Sequence, residues 1–328
     1  MGRMKAIVCR SYAPFATLRL EEVETPAPAE DEVLIRVRAA SVNPMDVHMM
    51  RGRPLIARLF VGLRRPKFDR PGADVAGEVE AVGAKVADFR PGDAVFGAAR
   101  GAFADLACAG ESRLAAKPPS LSFEEAAALP VAGLTALQAL RGRLRPGQQV
   151  LIVGAGGGIG SFAIQLARAA GARVDAVCSG RHAGFVRALG AETVFDYEKE
   201  DFTRSGRRYD LIFDLAGTRG FSALRRILAP DGVVVMGGIA GGRVTLGWAL
   251  GCAARVLAGL LRARFSTQSL AIVSAKLHKE DLAELARLAA EGKVKPAITA
   301  RYPLAEAGAA MAYVAEGHAE GKVVIVHE

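Results

Sequence analysis

Cysteine is scarce in this sequence: Cys9, Cys108, Cys178 and Cys252 are scattered through 328 residues, with no C-x-x-C pair and no short-spaced cluster. That excludes a disulfide framework and a four-thiolate zinc lobe, and it points to a reducing compartment. Apolar runs of membrane-spanning length are lacking too. The most apolar stretch, 246–261, has sixteen residues with Arg255 inside it, short of a span. No signal-peptide core follows Met1-Gly2-Arg3-Met4-Lys5, and Ala6 stands where a myristoylation signal needs Ser or Thr. The expected location is the cytoplasm. Internal repeats and low-complexity tracts are absent.

What is abundant is positive charge, a formal +9. A diffuse excess would suggest nucleic acid, but this one is local. Residues 51–70 carry Arg51, Arg53, Arg58, Arg64, Arg65, Lys67 and Arg70 against Asp69 alone, and residues 243–268 carry four arginines and no acid. The remainder is near neutral, so no nucleic-acid partner is expected. At about 150 residues per domain, the length implies two domains.

Up to Pro119 the chain reads as short β segments divided by Pro and Gly, at 5–11, 18–24, 32–42, 74–83, 94–97 and 102–109. Ser122-Phe-Glu-Glu125 is a capping box that opens an Ala-rich helix running into Pro130. From 148 to 238, apolar strands alternate with helical stretches, which predicts a doubly wound parallel sheet of the Rossmann type. Helices are expected at 160–170, 182–189 and 222–228, and strands at 150–153, 173–179, 193–197, 209–216 and 233–237. After 270 come a strand at 271–274, a helix at 281–290, a strand near Ile298, a helix at 305–315 and a strand at 322–327. Periodicity leaves open whether this tail extends the sheet or returns to the β domain.

The strand 150–153 runs into Gly154, Ala155, Gly156, Gly157, Gly158, Ile159 and Gly160, followed by a helix. Glycine suits a sharp turn whose free N–H groups approach a pyrophosphate, so these seven residues are candidates to bind a dinucleotide. An NAD site places Asp or Glu at the tip of the next strand, about 20 residues on. Here that tip reads Val177-Cys-Ser-Gly-Arg181, with no carboxylate to repel a 2′-phosphate. Arg181 can fork onto such a phosphate and Ser179 can donate to it, so NADP(H) is favoured over NAD(H). Asp175 stands mid-strand, out of reach of the ribose. The alternative for Arg181 is a solvated residue at a helix start.

With that loop in the second half of the chain, after a β-rich domain, the sequence resembles a medium-chain dehydrogenase/reductase, most closely the zinc-independent quinone oxidoreductase branch. The likeness rests on Ala40-Ser-Val-Asn-Pro-Met-Asp46, Pro71-Gly-Ala-Asp-Val-Ala-Gly-Glu-Val-Glu-Ala-Val-Gly83, Phe89-Arg-Pro-Gly-Asp-Ala-Val-Phe96, Ala126-Ala-Ala-Leu-Pro130, Gly133-Leu-Thr-Ala136 and Gly321-Lys-Val-Val-Ile325. It implies a mostly β GroES-like catalytic domain at 1–122 and 270–328, a Rossmann domain at 123–269, an active site in the cleft between them, and a homodimer. Zinc-dependent relatives have a Cys after the strand ending at Val42 and a His-Glu pair after the glycine matching Gly72. This chain has Asn43 and Ala73-Asp74 there, which cannot build a catalytic zinc site. No metal is expected, and Asp46 with His48 reads as polar lining.

Without a Lewis acid a plain alcohol is hard to activate, whereas a quinone or an α,β-unsaturated carbonyl accepts hydride readily. The implied activity is therefore NADPH-dependent reduction of a small lipophilic quinone or enone. By resemblance Asn43 hydrogen-bonds near the nicotinamide ribose or the substrate oxygen, and Thr135 contacts the nicotinamide side. Tyr197 lies near the adenosine phosphate, Gly237, Gly238 and Ile239 line the nicotinamide, and Lys322 lies near the cofactor cleft. Structural alternatives are a turn residue for Asn43, a strand-end aromatic for Tyr197 and a solvated charge for Lys322. Asp46 and His48 remain candidate proton donors. Where some enoyl reductases of the superfamily carry a Tyr after the glycine matching Gly52, Arg53 and Pro54 follow here. Competing activities are an alcohol dehydrogenase, a biosynthetic enoyl reductase and an NADPH-binding sensor. The two cationic segments are read either as a lid or subunit interface, or as a basic, apolar rim that admits the lipophilic acceptor while touching an anionic membrane surface.

Overall fold

A computed structural model describes residues 2–12, 14–52, 58, 62–237 and 267–327, and every structural statement concerns these. β1 (Arg3–Val8) and β2 (Arg19–Glu24) pair antiparallel. β3 (Glu32–Val42) alternates mid-strand: Ile35 and Val37 are buried, while Arg36 and Arg38 face out and pair across to Glu80 and Glu78. Pro44, which gives up no helical bond at the first position, opens α1 (Pro44–Arg51). β4 (Asp74–Val82), β5 (Ala94–Ala98), β6 (Leu106–Gly110) and β7 (Leu114–Ala116) follow. α2 (Phe123–Ala127) starts on the expected box: Ser122 Oγ accepts the Glu125 N–H at 3.1 Å and Glu125 accepts the Ser122 N–H at 2.9 Å. α3 (Pro130–Leu140) begins at the next proline.

Strands and helices then alternate: β8 (Gln149–Val153), α4 (Gly158–Ala169), β9 (Arg173–Cys178), α5 (Ala183–Ala188), β10 (Thr193–Asp196), β11 (Tyr209–Asp214), α6 (Phe221–Leu224), β12 (Leu228–Met236) and β13 (Ser269–Ile272). The chain closes with α7 (Lys279–Ala290), β14 (Ile298–Pro303), α8 (Ala307–Ala315) and β15 (Lys322–Val326).

The chain divides into two compact units. The first comprises Met1–Leu134, Lys276–Gly292 and Pro296–Glu328. Its main sheet has the order β14-β15-β3-β4-β5-β7, with β6 also on β3. Its core gathers Ile7, Val33, Ile35, Val75, Phe103, Met311 and Ile325. The second unit is Thr135–Ala275 with Lys293–Lys295. Its sheet is parallel, ordered β10-β9-β8-β11-β12-β13, so strand order reverses between β8 and β11. Ligands of such sheets bind outside the carboxyl ends at that reversal. β8 and β11 are buried on both faces, which explains their unbroken apolar runs.

Two expected boundaries move. The first lies after Leu134, inside α3, because α2 packs on β3 and β4 and belongs with the first unit. The second lies after Ala275 rather than at 270, because β13 pairs with β12 from Val233↔Ser269 to Met236↔Ile272. α1 and α3 were not legible as helices in the sequence. The helix expected at 222–228 is four residues followed by a 3-10 turn at Arg225–Ile227, and β12 already starts at Leu228.

Candidate active site

In the first unit, three neighbouring strands bring together side chains that are far apart in sequence. Register places Ser41 opposite Asp74 on β3 and β4, while β15 lies along the other edge of β3 and opens with Lys322. Asn43 sits between the end of β3 and α1. Ser41, Asn43, Asp74 and Lys322 are all buried, at 0–3% exposure. Burying an ammonium and a carboxylate is costly unless each finds partners, and here they do. Asp74 Oδ2 accepts Ser41 Oγ at 2.7 Å, Asn43 Nδ2 at 2.8 Å and Lys322 Nζ at 3.3 Å. Asp74 Oδ1 accepts the Val131 N–H at 3.0 Å. Lys322 Nζ also donates to Asn43 Oδ1 at 2.8 Å.

The amide of Asn43 is thereby fixed, oxygen to the ammonium and nitrogen to the carboxylate. One Nδ2 hydrogen and one Oδ1 lone pair stay outside those two bonds. Asn43 is more than a turn residue, and Lys322 is not a solvated charge. In the sequence Asp74 stands out only as a departure from the zinc pattern. Asp74 and Lys322 lie 248 positions apart, a pairing no local pattern reveals.

Asp46 lies in the first turn of α1, where its Oδ2 accepts the Asn43 backbone N–H at 2.8 Å. Burial pushes this carboxyl up to about 7; the Asn43 N–H bond opposes the rise and the charge of Asp74 adds to it. His48 is half-buried. Two residues apart on a helix, it does not share a face with Asp46, so the two do not act as one site.

In the second unit the Gly-rich turn follows β8 at the reversal of strand order. The N–H groups of Gly154 and Ala155 donate to Val177 O at 3.0 and 3.1 Å, which ties the turn to β9. Glycine is required at 160: a Cβ there would lie 2.6 Å from Ala155 Cα and from two backbone oxygens. α4 begins at Gly158, so the N–H groups of Gly158, Ile159 and Gly160 have no carbonyl one turn back, and among the described residues none of the three has a partner, which suits an anion. Gly156 lies under the ring of His182, whose Nδ1 is 3.4 Å from Ser179 Oγ. His182 is a contact that the sequence reading missed beside Arg181.

Arg181 is exposed and has no carboxylate partner among the described residues. Tyr197, 49% exposed, is held beside the tip of β9 by its N–H to Cys178 O at 3.2 Å. One acid does come near, from the neighbouring strand: a Cβ on Gly180 would lie 2.4 Å from Asp196 Oδ2. Desolvation pushes Asp196 up, but the Glu198 N–H, the Lys199 ammonium and the Gly180 N–H outweigh it and hold the carboxyl below its ordinary value. Asp175 is occupied by Tyr209 Oη, Arg207 and the Thr193 N–H, as befits a mid-strand structural acid.

At the end of β11, Asp214 Oδ1 accepts the N–H groups of Ala216 and Gly217. Its Oδ2 is buried with no hydrogen-bond partner among the described residues, and burial pushes the carboxyl up. Gly237 packs tightly on Phe213 and Val273, whereas Gly238 and Ile239 lie outside the described residues. Thr135 is buried on α3 and falls in the second unit. A pyrophosphate fits this turn: among the described residues it offers N–H groups without partners and a cradle with no room for a Cβ. Among the described residues, no three His, Cys, Asp or Glu side chains are placed to hold a metal.

Residues 29–136 match the alcohol dehydrogenase GroES-like domain family, and residues 189–325 match the zinc-binding dehydrogenase family. A chloroplast envelope quinone oxidoreductase homolog of Arabidopsis thaliana is 34% identical over 98% of both chains. An NADPH-dependent alkenal/one oxidoreductase, chloroplastic, of the same plant is 31% identical over 98% of this chain and 79% of its own. Among solved structures, the quinone oxidoreductase from Coxiella burnetii covers 99% of both chains at 32% identity, with a TM-score of 0.84. The chain belongs to the medium-chain dehydrogenase/reductase superfamily, in its quinone oxidoreductase-like branch.

Proposed function

We propose that this protein is an NADPH-dependent oxidoreductase that reduces a quinone or an α,β-unsaturated carbonyl without zinc. The observation that carries the cofactor assignment is the exposed, unpaired Arg181 at the tip of β9, beside the turn Gly154–Gly160. The acceptor class rests on the quinone oxidoreductase and alkenal/one oxidoreductase relatives. When bound, the nicotinamide supplies a hydride to the quinone or to the enone β-carbon, and a proton from water completes the two-electron reduction.

The chain's own residues bind and orient. The N–H groups that open α4 hold the pyrophosphate, Arg181 and Ser179 hold the 2′-phosphate, and Tyr197 packs beside the adenosine phosphate. Asn43, its amide locked by Lys322 and Asp74, presents its remaining polar capacity to the nicotinamide ribose or the acceptor oxygen, and Thr135 serves the nicotinamide side. The residues at the family's zinc positions do not fit the ion. Asp74 already accepts four donors, and the Lys322 ammonium at 3.3 Å repels a dication. Chemistry that needs no Lewis acid suits such a site. The protein is further read as a cytoplasmic homodimer, and its described cysteines, Cys9, Cys108 and Cys178, are buried and form no disulfide, as suits a reducing compartment.

Arg181→Ala tests the cofactor assignment. Losing a charge-assisted hydrogen bond, worth roughly 1.5–3 kcal/mol, raises KM for NADPH about 10- to 100-fold and leaves KM for NADH nearly unchanged. An equal loss for both nucleotides removes Arg181 from the phosphate site.

A further inference from the structure

The described part of the 51–70 segment forms a basic pocket of about 840 Å³ on the first unit, lined by Arg10, Arg58, Arg64, Arg65, Lys67 and Asp69 among others. The loop that builds it is anchored at both ends. Tyr12 Oη donates to Gly62 O at 2.5 Å, and Asp69 O accepts the Cys9 N–H at 2.6 Å. Gly62 has φ +118°, and a Cβ there would lie 2.1 Å from Arg65 O, so the chain folds back on itself only with glycine at that position. Arg58 stacks on the Tyr12 ring at 4.3 Å and donates Nε to Gly52 O at 3.1 Å.

The charge of this pocket is only partly compensated. Arg10 is met by Glu21 at 2.7 Å, and Asp69 lies 4.0 Å from Arg70. Arg58, Arg64, Arg65 and Lys67 have no carboxylate partner among the described residues. The same loop exposes two large apolar side chains, Leu63 at 70% and Phe68 at 46%. A soluble phosphate ester would account for the cations and leave those two side chains in water for no gain. An anionic bilayer accounts for both, since its headgroups carry phosphates and the adjoining acyl boundary takes apolar side chains. No described helix is long and apolar enough to cross a membrane.

We propose that residues 62–69 are a membrane-contact site that seats phosphate groups of anionic lipids in the basic pocket while Leu63 and Phe68 enter the acyl boundary. The inference is independent of the reductase reading. Its test is co-sedimentation of the full chain with vesicles of phosphatidylcholine alone or mixed with phosphatidylglycerol, at low and high salt, without nucleotide or acceptor, so vesicle binding and turnover are read separately.

Binding to the mixed vesicles at low salt, and to neither kind at high salt, is expected. At roughly fivefold per charge near the surface, Arg64→Gln/Arg65→Gln/Lys67→Gln weakens partitioning about a hundredfold. Leu63→Ser/Phe68→Ser weakens it by roughly tenfold or more while keeping the salt dependence. The charge-preserving Arg64→Lys/Arg65→Lys/Lys67→Arg variant binds like the parent. Absence of binding at low salt, or equal binding by the neutralised variant, overturns the proposal. Saturable pyrophosphate binding that the neutralised variant loses, in a protein that ignores vesicles, overturns it in favour of a soluble phosphate ester.

Discussion

Replacing Lys322 by Met tests the buried cluster that fixes Asn43. The substitution keeps the apolar stem and removes the ammonium, together with its bonds to Asn43 Oδ1 at 2.8 Å and Asp74 Oδ2 at 3.3 Å. Asp74, at 0% exposure, is then left as a buried charge without its counter-ion. Breaking a buried pair from one side costs roughly 3–5 kcal/mol. Asp74 keeps three donors, Ser41, Asn43 and the Val131 N–H, which places the loss near the lower end, about 3 kcal/mol. A folding unit of this size loses roughly 2–4 °C per kcal/mol, so calorimetry should show the first unit's transition about 6–12 °C lower. The double variant Asp74→Asn/Lys322→Met should recover about 2 kcal/mol relative to the sum of the single changes, because no orphan charge remains. Turnover should fall in Lys322→Met as the Asn43 amide loses its orientation. A loss under about 1 kcal/mol with no coupling to Asp74 would refute the ion-pair account.

Other consequences follow from single groups. Asp46 holds its proton up to about pH 7 when folded and releases it near 4 when unfolded. Its contribution is therefore complete below pH 4 and lost as the pH rises to 7, an effect of up to about 4 kcal/mol. Asp46→Asn should flatten that part of the pH–stability curve, and an unchanged slope measured by urea unfolding would contradict the assignment. Gly160→Ala forces the turn to shift, so NADPH affinity in a fluorescence titration should drop at least roughly tenfold and the second unit should lose about 1–3 kcal/mol. Retained affinity would mean that the turn does not cradle the pyrophosphate. Tyr209→Phe removes a buried bond to Asp175 at 2.8 Å and should cost the second unit about 1–2 kcal/mol without changing nucleotide selectivity.

Features whose cause is local were legible in the sequence. The alternation of β3, the Ser122 and Glu125 box and the glycine spacing after β8 each follow from neighbouring residues, and each appears in the structure as read. α1 and α3 were missed because a proline and a run of small apolar residues carry little helical period. The cluster around Asn43 was half legible. The resemblance singled out Asn43 and Lys322, but their common partner Asp74 depends on the register of β3 against β4 and the closeness of β15, which are tertiary facts. His182 and Asp196 escaped for the same reason: one folds back over Gly156 and the other reaches Gly180 from the next strand. Among the described residues of the cationic segments, the sequence located the charge, while the pocket and the exposure of Leu63 and Phe68 required coordinates.

The most direct test of the central claim is nucleotide oxidation by the purified chain against a panel of quinones, enones, simple ketones and alcohols, with NADPH and NADH compared, each with and without a zinc chelator. The account predicts chelator-insensitive turnover of quinones or enones with NADPH favoured over NADH, and none of simple ketones or alcohols. Turnover of plain alcohols abolished by the chelator would contradict it, as would tight NADPH binding with no acceptor reduced.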